Sequence, residues 1–198
     1  MSIFKIVASV FAIMILAPGI TLADATIELN VNDSDVQARL DVTAKPSATP
    51  LTIGAEFLYS DDDNFWLSAL NAAIKDEVFA PGLNLGLGFK GIFGETDTAV
   101  GDLTTLALAF QFLAEYDLRE TRSKWPLSLD AKMGWAPDIL SFSDTKDYFE
   151  FYTAVYVHIN YWAAIFLGYR DIKIEYENGV KDQKLDYDAF YIGARISF

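Results

Sequence analysis

The feature that most constrains this chain is a period of two in its hydrophobicity, which recurs along most of the sequence. Successive side chains of a β-strand point to opposite faces, so this period predicts strands rather than helices. In the cleanest example, at the end of the chain, apolar residues occupy alternate positions: Phe190, Ile192, Ala194, Ile196 and Phe198. The positions between them hold Tyr191, Gly193, Arg195 and Ser197. The dominant period therefore predicts an all-β protein.

The same alternation predicts further strands, clear in some segments and weaker in others, at residues 27–31, 36–42, 51–59, 83–90, 105–112, 127–135, 150–159 and 163–173. Residues 65–74 fit either a strand or a helix, because Trp66, Leu67 and Leu70 also suit a helical period behind an Asn64 cap. Counted as a strand, this segment brings the total to about ten, and an even number suits a closed bacterial barrel. We predict a closed antiparallel up-and-down transmembrane β-barrel of about ten strands, with eight as the alternative.

The composition of the two faces indicates which solvent each one meets. The apolar faces carry no charge, as a lipid-facing surface demands, whereas the other faces are rich in Gly, Ala, Ser and Thr, which suit a cramped interior. No apolar run beyond the N-terminus is long enough for a membrane-spanning helix. A net charge of −13 argues against nucleic acid as a partner, and the absence of cysteine excludes disulfides and thiolate metal sites.

The N-terminal segment predicts export from the cytoplasm. Residues 1–23 contain Lys5 as their only charge, then an apolar stretch, then helix breakers and small residues, which is the order of a secretory signal peptide. Cleavage after Ala23 and cleavage after Ala25 both remain open, and an uncleaved membrane anchor is the alternative. Residues 24–198 are predicted to form a single transmembrane barrel domain.

The C-terminal stripe ends in an aromatic residue, the pattern that is recognised during assembly of outer-membrane barrels. Phe190, Ile192, Ala194, Ile196 and Phe198 are therefore the predicted assembly signal. The chain also resembles the YfaZ family of small outer-membrane proteins. The resemblance rests on the residue runs 59–63, 86–89, 168–170 and 189–198, which read YSDDD, GLGF, GYR and AFYIGARISF. It covers most of the mature chain and implies a barrel in the outer membrane of a Gram-negative-type cell, with no established activity to carry onto residues.

Charged side chains on the inward faces form the main candidate site. On the predicted register they are Glu28, Arg39, Asp41, Glu56, Lys90, Asp130, Lys132, Glu150, Arg170 and Arg195. Buried charges need partners, and a barrel of about ten strands is narrow, so we predict a packed polar plug. A narrow, porin-like channel for small solutes is the alternative.

The remaining candidates for a function are a catalytic site at the single histidine and the acidic residues of the predicted loops. His158 is the only histidine, so a catalytic triad would have to use it, and its predicted place near a periplasmic turn favours a structural role. We predict no enzyme activity, no cofactor and no metal site. Acidic residues crowd the predicted outer loops, which are expected to be longer than the periplasmic turns. The expected partners are outer-membrane lipid and lipopolysaccharide, with the barrel assembly machinery during biogenesis.

The leading functional interpretation is a non-enzymatic envelope or surface protein with a plugged lumen. The porin-like channel is the first alternative. The second is a soluble periplasmic barrel that binds an apolar ligand, because a barrel with its apolar face inward gives the same alternation.

Overall fold

The computed structural model describes residues 23–44, 50–98, 101–122, 124–177 and 182–198. Residues 1–22 of the predicted signal peptide lie outside this range, so the export signal and its cleavage position remain predictions. The predicted turn at residues 44–50 likewise falls mostly outside it. Within the described ranges, no helix is long and apolar enough to cross a membrane.

The described residues form strands β1 to β11 and one 3₁₀ turn, Asp138–Leu140. The strands are β1 Ala23–Val31, β2 Asp35–Ala44, β3 Leu51–Ser60, β4 Phe65–Glu77, β5 Leu83–Thr98, β6 Gly101–Asp117, β7 Leu127–Ala136, β8 Ser141–Ser143, β9 Thr145–His158, β10 Ala163–Glu177 and β11 Asp182–Ser197.

Ten long strands close into an antiparallel barrel. Each pairs with its neighbours along the chain, and β1 pairs with β11 to complete the ring. Among the described residues the short strand β8 pairs with β6 alone, so it is not an eleventh strand of the barrel wall. The prediction of ten strands is confirmed, and the alternative of eight is wrong.

The doubtful segment at residues 65–74 is part of strand β4. Phe65, Leu67 and Ala69 are buried inside the barrel, while Leu70 is 70% exposed on the outer wall. Alternation therefore prevails over the helical spacing, because pairing on both edges satisfies the backbone of this strand within the sheet.

The outer wall is apolar along nearly every strand. Large hydrophobic side chains more than one third exposed include Leu29, Ile53, Leu70, Ile74, Leu87, Phe89, Phe110, Met133, Val155, Ile165, Leu167, Phe190 and Ile192. Such a surface would be unfavourable in water, since monomeric soluble proteins rarely expose large contiguous apolar patches. The wall is compatible with a transmembrane barrel in an outer membrane.

The C-terminal stripe lies on this outer wall. Phe190, Ile192, Ala194, Ile196 and Phe198 are all exposed, and Ser197 and Arg195 between them are partly buried. The predicted register of the last strand is therefore the observed one. The role of the stripe in assembly remains a prediction.

The two ends of the barrel differ in their connections. We call the end where β1 begins and β11 ends the basal end, and the opposite end the distal end. The distal connections 32–34 and 61–64 are short, but the distal connection 137–144 is nearly as long as the basal connection 118–126. The expectation of longer outer loops and shorter periplasmic turns stays a prediction, because strand bounds alone do not assign the two ends to the two sides of the membrane. Many of the acids assigned to loops, such as Glu95, Asp97 and Asp102, lie in extended strand ends instead.

Candidate functional site

The distal half of the lumen is filled by apolar side chains. They are buried and in mutual contact: Leu58, Phe65, Leu67, Ala69, Ile92, Leu103, Ala107, Ala109, Ala136, Tyr148, Ile172, Ile174, Tyr176, Leu185 and Tyr187. We call this set the distal cluster. Its few hydroxyls find partners, since Tyr176 Oη lies 2.9 Å from Thr96 Oγ1 and 2.7 Å from Thr105 Oγ1. The predicted plug consisted of polar residues alone, so this cluster was not predicted.

A chain of alternating charges crosses the lumen below the distal cluster. Adjacent members lie within 4 Å of each other in the order Glu150, Lys90, Glu56, Arg39, Glu28, Arg195, Asp130 and Lys132. We call it the ion chain. Each internal member has an opposite charge on both sides, which offsets the desolvation that burial imposes on it.

The centre of the ion chain is the most buried part. Arg39 reaches Glu56 Oε2 at 2.9 Å through Nη2 and Glu28 Oε2 at 3.3 Å through Nη1. Lys90 Nζ lies 2.5 Å from Glu150 Oε2 and 3.5 Å from Glu56 Oε2. All of these residues are less than one tenth exposed. Removing one member would therefore leave a buried charge without its partner.

The basal end of the ion chain passes through Arg195, which connects the two terminal strands with β7. Its Nη2 lies 2.5 Å from Glu28 Oε1 and 3.4 Å from Asp130 Oδ2. Its guanidinium also stacks 3.6 Å from the ring centroid of Tyr156. This cation–π contact adds to the ion pairs and fixes the side chain against the β9 wall.

Arg170 lies beside the ion chain without joining it. It donates from Nη2 to Gln37 Oε1, and Gln37 in turn donates to Glu56. Its guanidinium lies beside the stacked rings of Tyr152 and Tyr191, at 5.7 and 5.1 Å from their centroids. Gln37 was not among the predicted site residues, although it shares the inward face of β2 with Arg39.

The basal half of the lumen contains a cavity of about 210 Å³, which we call the vestibule. The inward residues on one side are smaller here than in the distal half: Gly54, Ala73, Gly86 and Gly88 stand where the distal half has Leu58, Leu67 and Ile92. The opposite side is filled by aromatic and small residues, namely Tyr152, Ala154, Tyr156, Ala164, Phe166 and Tyr191. Most of the residues that line the vestibule are charged or polar, and a few, such as Leu113 and Ala164, are apolar.

Asp41 is the last of the ten predicted lumen ions, and it stands apart. It lines the vestibule but has no ion pair and no side-chain hydrogen bond among the described residues. Lys75 and Glu115, which sequence analysis left out, do pair there, across the bare face of Gly86. Continuing the alternation beyond the predicted strand ends would have found both.

His158 ends β9 at the basal rim and lines the vestibule. Its Nε2 lies 2.9 Å from Ser128 Oγ, yet Ser128 is almost fully buried. Among the described residues no carboxylate hydrogen-bonds the other ring nitrogen, so the orienting group of a catalytic triad is missing. Nor do these residues contain a cluster of three or more His, Cys, Asp or Glu that could hold a metal ion.

The distal end carries a rim of acids around the turn at residues 61–64. The pKa of Asp63 is raised by partial burial and then by the nearby carboxylates of Asp35 and Asp62. Asp35 is held by Tyr187, whose hydroxyl donates to Asp35 Oδ2 at 2.6 Å. The rim is thus a surface of concentrated negative charge.

Several solved structures are similar to this chain. An outer-membrane expressed OmpT of Vibrio cholerae has 15% identity and a TM-score of 0.42, covering 83% of this chain and 56% of its own, so this chain spans little more than half of it. Neisserial surface protein A has 12% identity and a TM-score of 0.39, over 89% of this chain and 94% of its own. A NanC porin has 10% identity and a TM-score of 0.41, over 88% and 97%.

No curated protein matches the chain in sequence. A family model described as YfaZ precursor does match, over residues 2–198. That match spans nearly the whole sequence and includes every strand of the barrel. The chain belongs to the YfaZ family.

Proposed function

We propose that this protein is a non-enzymatic envelope protein that spans the outer membrane and whose lumen is closed to solutes. The observation that carries the proposal is the combination of an apolar outer wall with a lumen that changes from polar to apolar along its length. A barrel with these two surfaces is suited to sit in lipid without conducting.

The outer wall supports the membrane placement. Side chains such as Leu167, 61% exposed, and Ile192, 60% exposed, would each leave water on insertion. Burying apolar surface contributes roughly 25 cal/mol per Å². The inward charges would meanwhile be shielded from lipid, because they pair with one another inside the barrel.

The distal cluster supports closure. An ion entering from the basal end would meet the ion chain, whose charges already satisfy one another. Beyond it, Ile92 and Ile174 are about 1% and 0% exposed, so closely packed apolar side chains stand in the way of a permeating ion. Moving an ion into such a region carries a large desolvation cost.

Planar-bilayer recording tests closure directly. The folded full-length mature chain should give no steady single-channel conductance, while a porin reconstituted in the same way serves as the positive control. A large, steady conductance would overturn closure and favour the porin-like channel, for which the vestibule, a cavity in the basal half of the lumen, is the supporting observation.

Localisation and partners belong to the same proposal. The acidic distal rim is suited to face outward, where divalent cations would bridge its carboxylates to lipopolysaccharide phosphates, because both are hard oxygen ligands. The exposed C-terminal stripe is suited to contact the barrel assembly machinery. Cell fractionation checks the location: recovery in detergent-extracted outer membrane supports it, whereas release by osmotic shock supports the soluble periplasmic barrel.

A further inference from the structure

Within the part of the chain that the structure describes, the vestibule is lined by five cations and five acids, but one cation takes an acid from outside the lining, so one lining acid has no ion pair. Each cation lining it has an acid partner: Arg39, Lys132 and Arg195 belong to the ion chain, Lys75 pairs with Glu115, and Arg119 pairs with Asp117. Among the described residues, Asp41 is the lining acid left without an ion pair. Its neighbour on the same face, Arg39, is already engaged by Glu28 and Glu56. The cavity therefore presents one carboxylate whose charge is not neutralised by an ion pair.

Asp41 is joined by an amide at the bare face of Gly54. Asp41, Gly54 and Asn71 are direct cross-strand partners on β2, β3 and β4. A Cβ atom at Gly54 would collide with Asp41 Oδ1 and lie 2.7 Å from Asn71 Nδ2, so both side chains lean over the glycine. The glycine thus leaves room for a carboxylate and an amide to converge on one point of the vestibule wall.

A second, independent feature is an orphan acceptor on the same wall. Gln111 is 7% exposed, and its Oε1 is buried without a hydrogen-bond partner in the described structure. It lines the vestibule and is separated from β4 only by Gly88, which pairs with both Ala73 and Gln111. A buried acceptor without a donor costs about 1–3 kcal/mol, which a ligand with N–H groups would offset.

We propose that the vestibule binds a small organic solute through its ammonium group, with Asp41 as the counter-ion, the amide oxygen of Asn71 as a neighbouring acceptor, and the amide oxygen of Gln111 on β6 as the acceptor for a second donor group of the solute. An ammonium has three N–H donors and one positive charge, which matches one carboxylate with neighbouring neutral acceptors. A divalent metal ion fits less well, because hard cations gather several carboxylate or water oxygens, and the lining residues that the structure describes include only one carboxylate without an ion pair. The cavity of about 210 Å³ is also far larger than a bare ion and has room for a short carbon chain.

Three probes of equal length and different charge test the proposal: 4-amino-1-butanol, 1,4-butanediol and 4-hydroxybutyrate. Their affinities are measured by calorimetry on the folded full-length mature barrel in detergent micelles at constant salt. The ammonium probe should bind at least about tenfold more tightly than the diol, a difference that corresponds to ~1.4 kcal/mol, and the carboxylate should not bind. Equal affinity for the ammonium and the diol would overturn the proposal.

Variants locate the site. Asp41→Asn keeps the shape of the side chain and removes its charge, and should lower the affinity for the ammonium probe by about tenfold or more. Gln111→Leu should weaken it less, and Asp62→Asn, at the distal rim, should leave it unchanged. Unaltered affinity in Asp41→Asn, or competitive displacement of the probe by millimolar Mg²⁺, would contradict the assignment. Because none of these measurements depends on conductance, their failure would leave the closure of the lumen untouched.

Discussion

The distal and basal halves of this barrel share their strands, their pairing and their apolar outer wall, yet one is full and the other contains a cavity. On β5 the inward residue is Ile92 in the distal half and Gly88 and Gly86 in the basal half. On β4 it is Leu67 distally and Ala73 basally. The alternation determines which face meets the interior, and the size of the inward residue determines whether that interior is filled.

The strongest expected contrast lies at the border between the halves. Glu56→Gln removes a carboxylate that holds both Arg39 and Lys90, so it should lower the free energy of unfolding by about 3–5 kcal/mol. Asp41→Asn, which breaks no ion pair, is the matched control and should change it by less than ~0.5 kcal/mol. Urea titration of the folded barrel, followed by its gel-mobility shift, measures both. Equal losses would mean that the vestibule carboxylate is as tightly integrated as the ion chain.

Truncating a packed side chain should also cost more stability in the distal half than in the basal half. Ile92→Ala leaves a hole in the distal cluster and should cost about 2–5 kcal/mol. Leu113→Ala, on the partly exposed vestibule wall, removes a similar volume where the cavity already exists and should cost less than half as much. The same urea titration compares them. A larger loss for Leu113→Ala would reverse the assignment of the filled and open halves.

The wall that both halves share can be tested on β11. Ile192→Lys places an ammonium on the outer wall, at a cost of about 2–4 kcal/mol at mid-depth in lipid. Ser197→Lys adds the same group to the inward face near the basal end and should reduce folding into lipid vesicles much less. The measured quantity is the folded fraction after insertion. If the two variants insert equally well, the outer wall does not face hydrocarbon.

The smallest effect is expected at the distal rim. The raised pKa of Asp63 means that ionising its carboxyl group costs more in the folded barrel than in the unfolded chain. The protonated group therefore favours folding at low pH, and this contribution to the free energy of unfolding is lost as the pH rises through the folded pKa. Asp63→Asn should therefore slightly raise the unfolding temperature at pH 7 and have no effect near pH 3. The effect is small because the exposed group is screened by water and salt. If the unfolding temperature of Asp63→Asn is still raised at pH 3, the effect comes from the new amide rather than from removal of the charge.

The sequence predicted the wall better than the interior. Alternation found the strands and put Arg195, Arg170 and Glu56 on the inward face, because a period of two is a local property. It ended β5 at Lys90, whereas the strand continues to Thr98, because both faces are apolar around Ile92 and Phe93. In that stretch the pattern no longer separates inside from outside, and the distal cluster was missed for the same reason.

The pairing of the ions depends on geometry that no single strand contains. Lys90 on β5 meets Glu150 on β9, although β6 and β7 lie between those strands around the ring. Such contacts follow from the tilt of the strands and the diameter of the closed barrel. The sequence could therefore supply the members of the ion chain but not their order, nor the exclusion of Asp41 from it.

The seam between β1 and β11 has a consequence for how the chain reaches its native state. Arg195 Nε donates to Glu28 Oε1 across a sequence separation of 167 residues, and Thr26 meets Ser197 across 171. Hairpins between consecutive strands close short loops and can form early, whereas the seam closes the longest loop in the molecule and must wait for the final strand. Until then Glu28 has Arg39 but not Arg195. Folding is therefore expected to end in one late, cooperative step, in which β11 pairs with β1 and the ion pair between Arg195 and Glu28 forms at the same time.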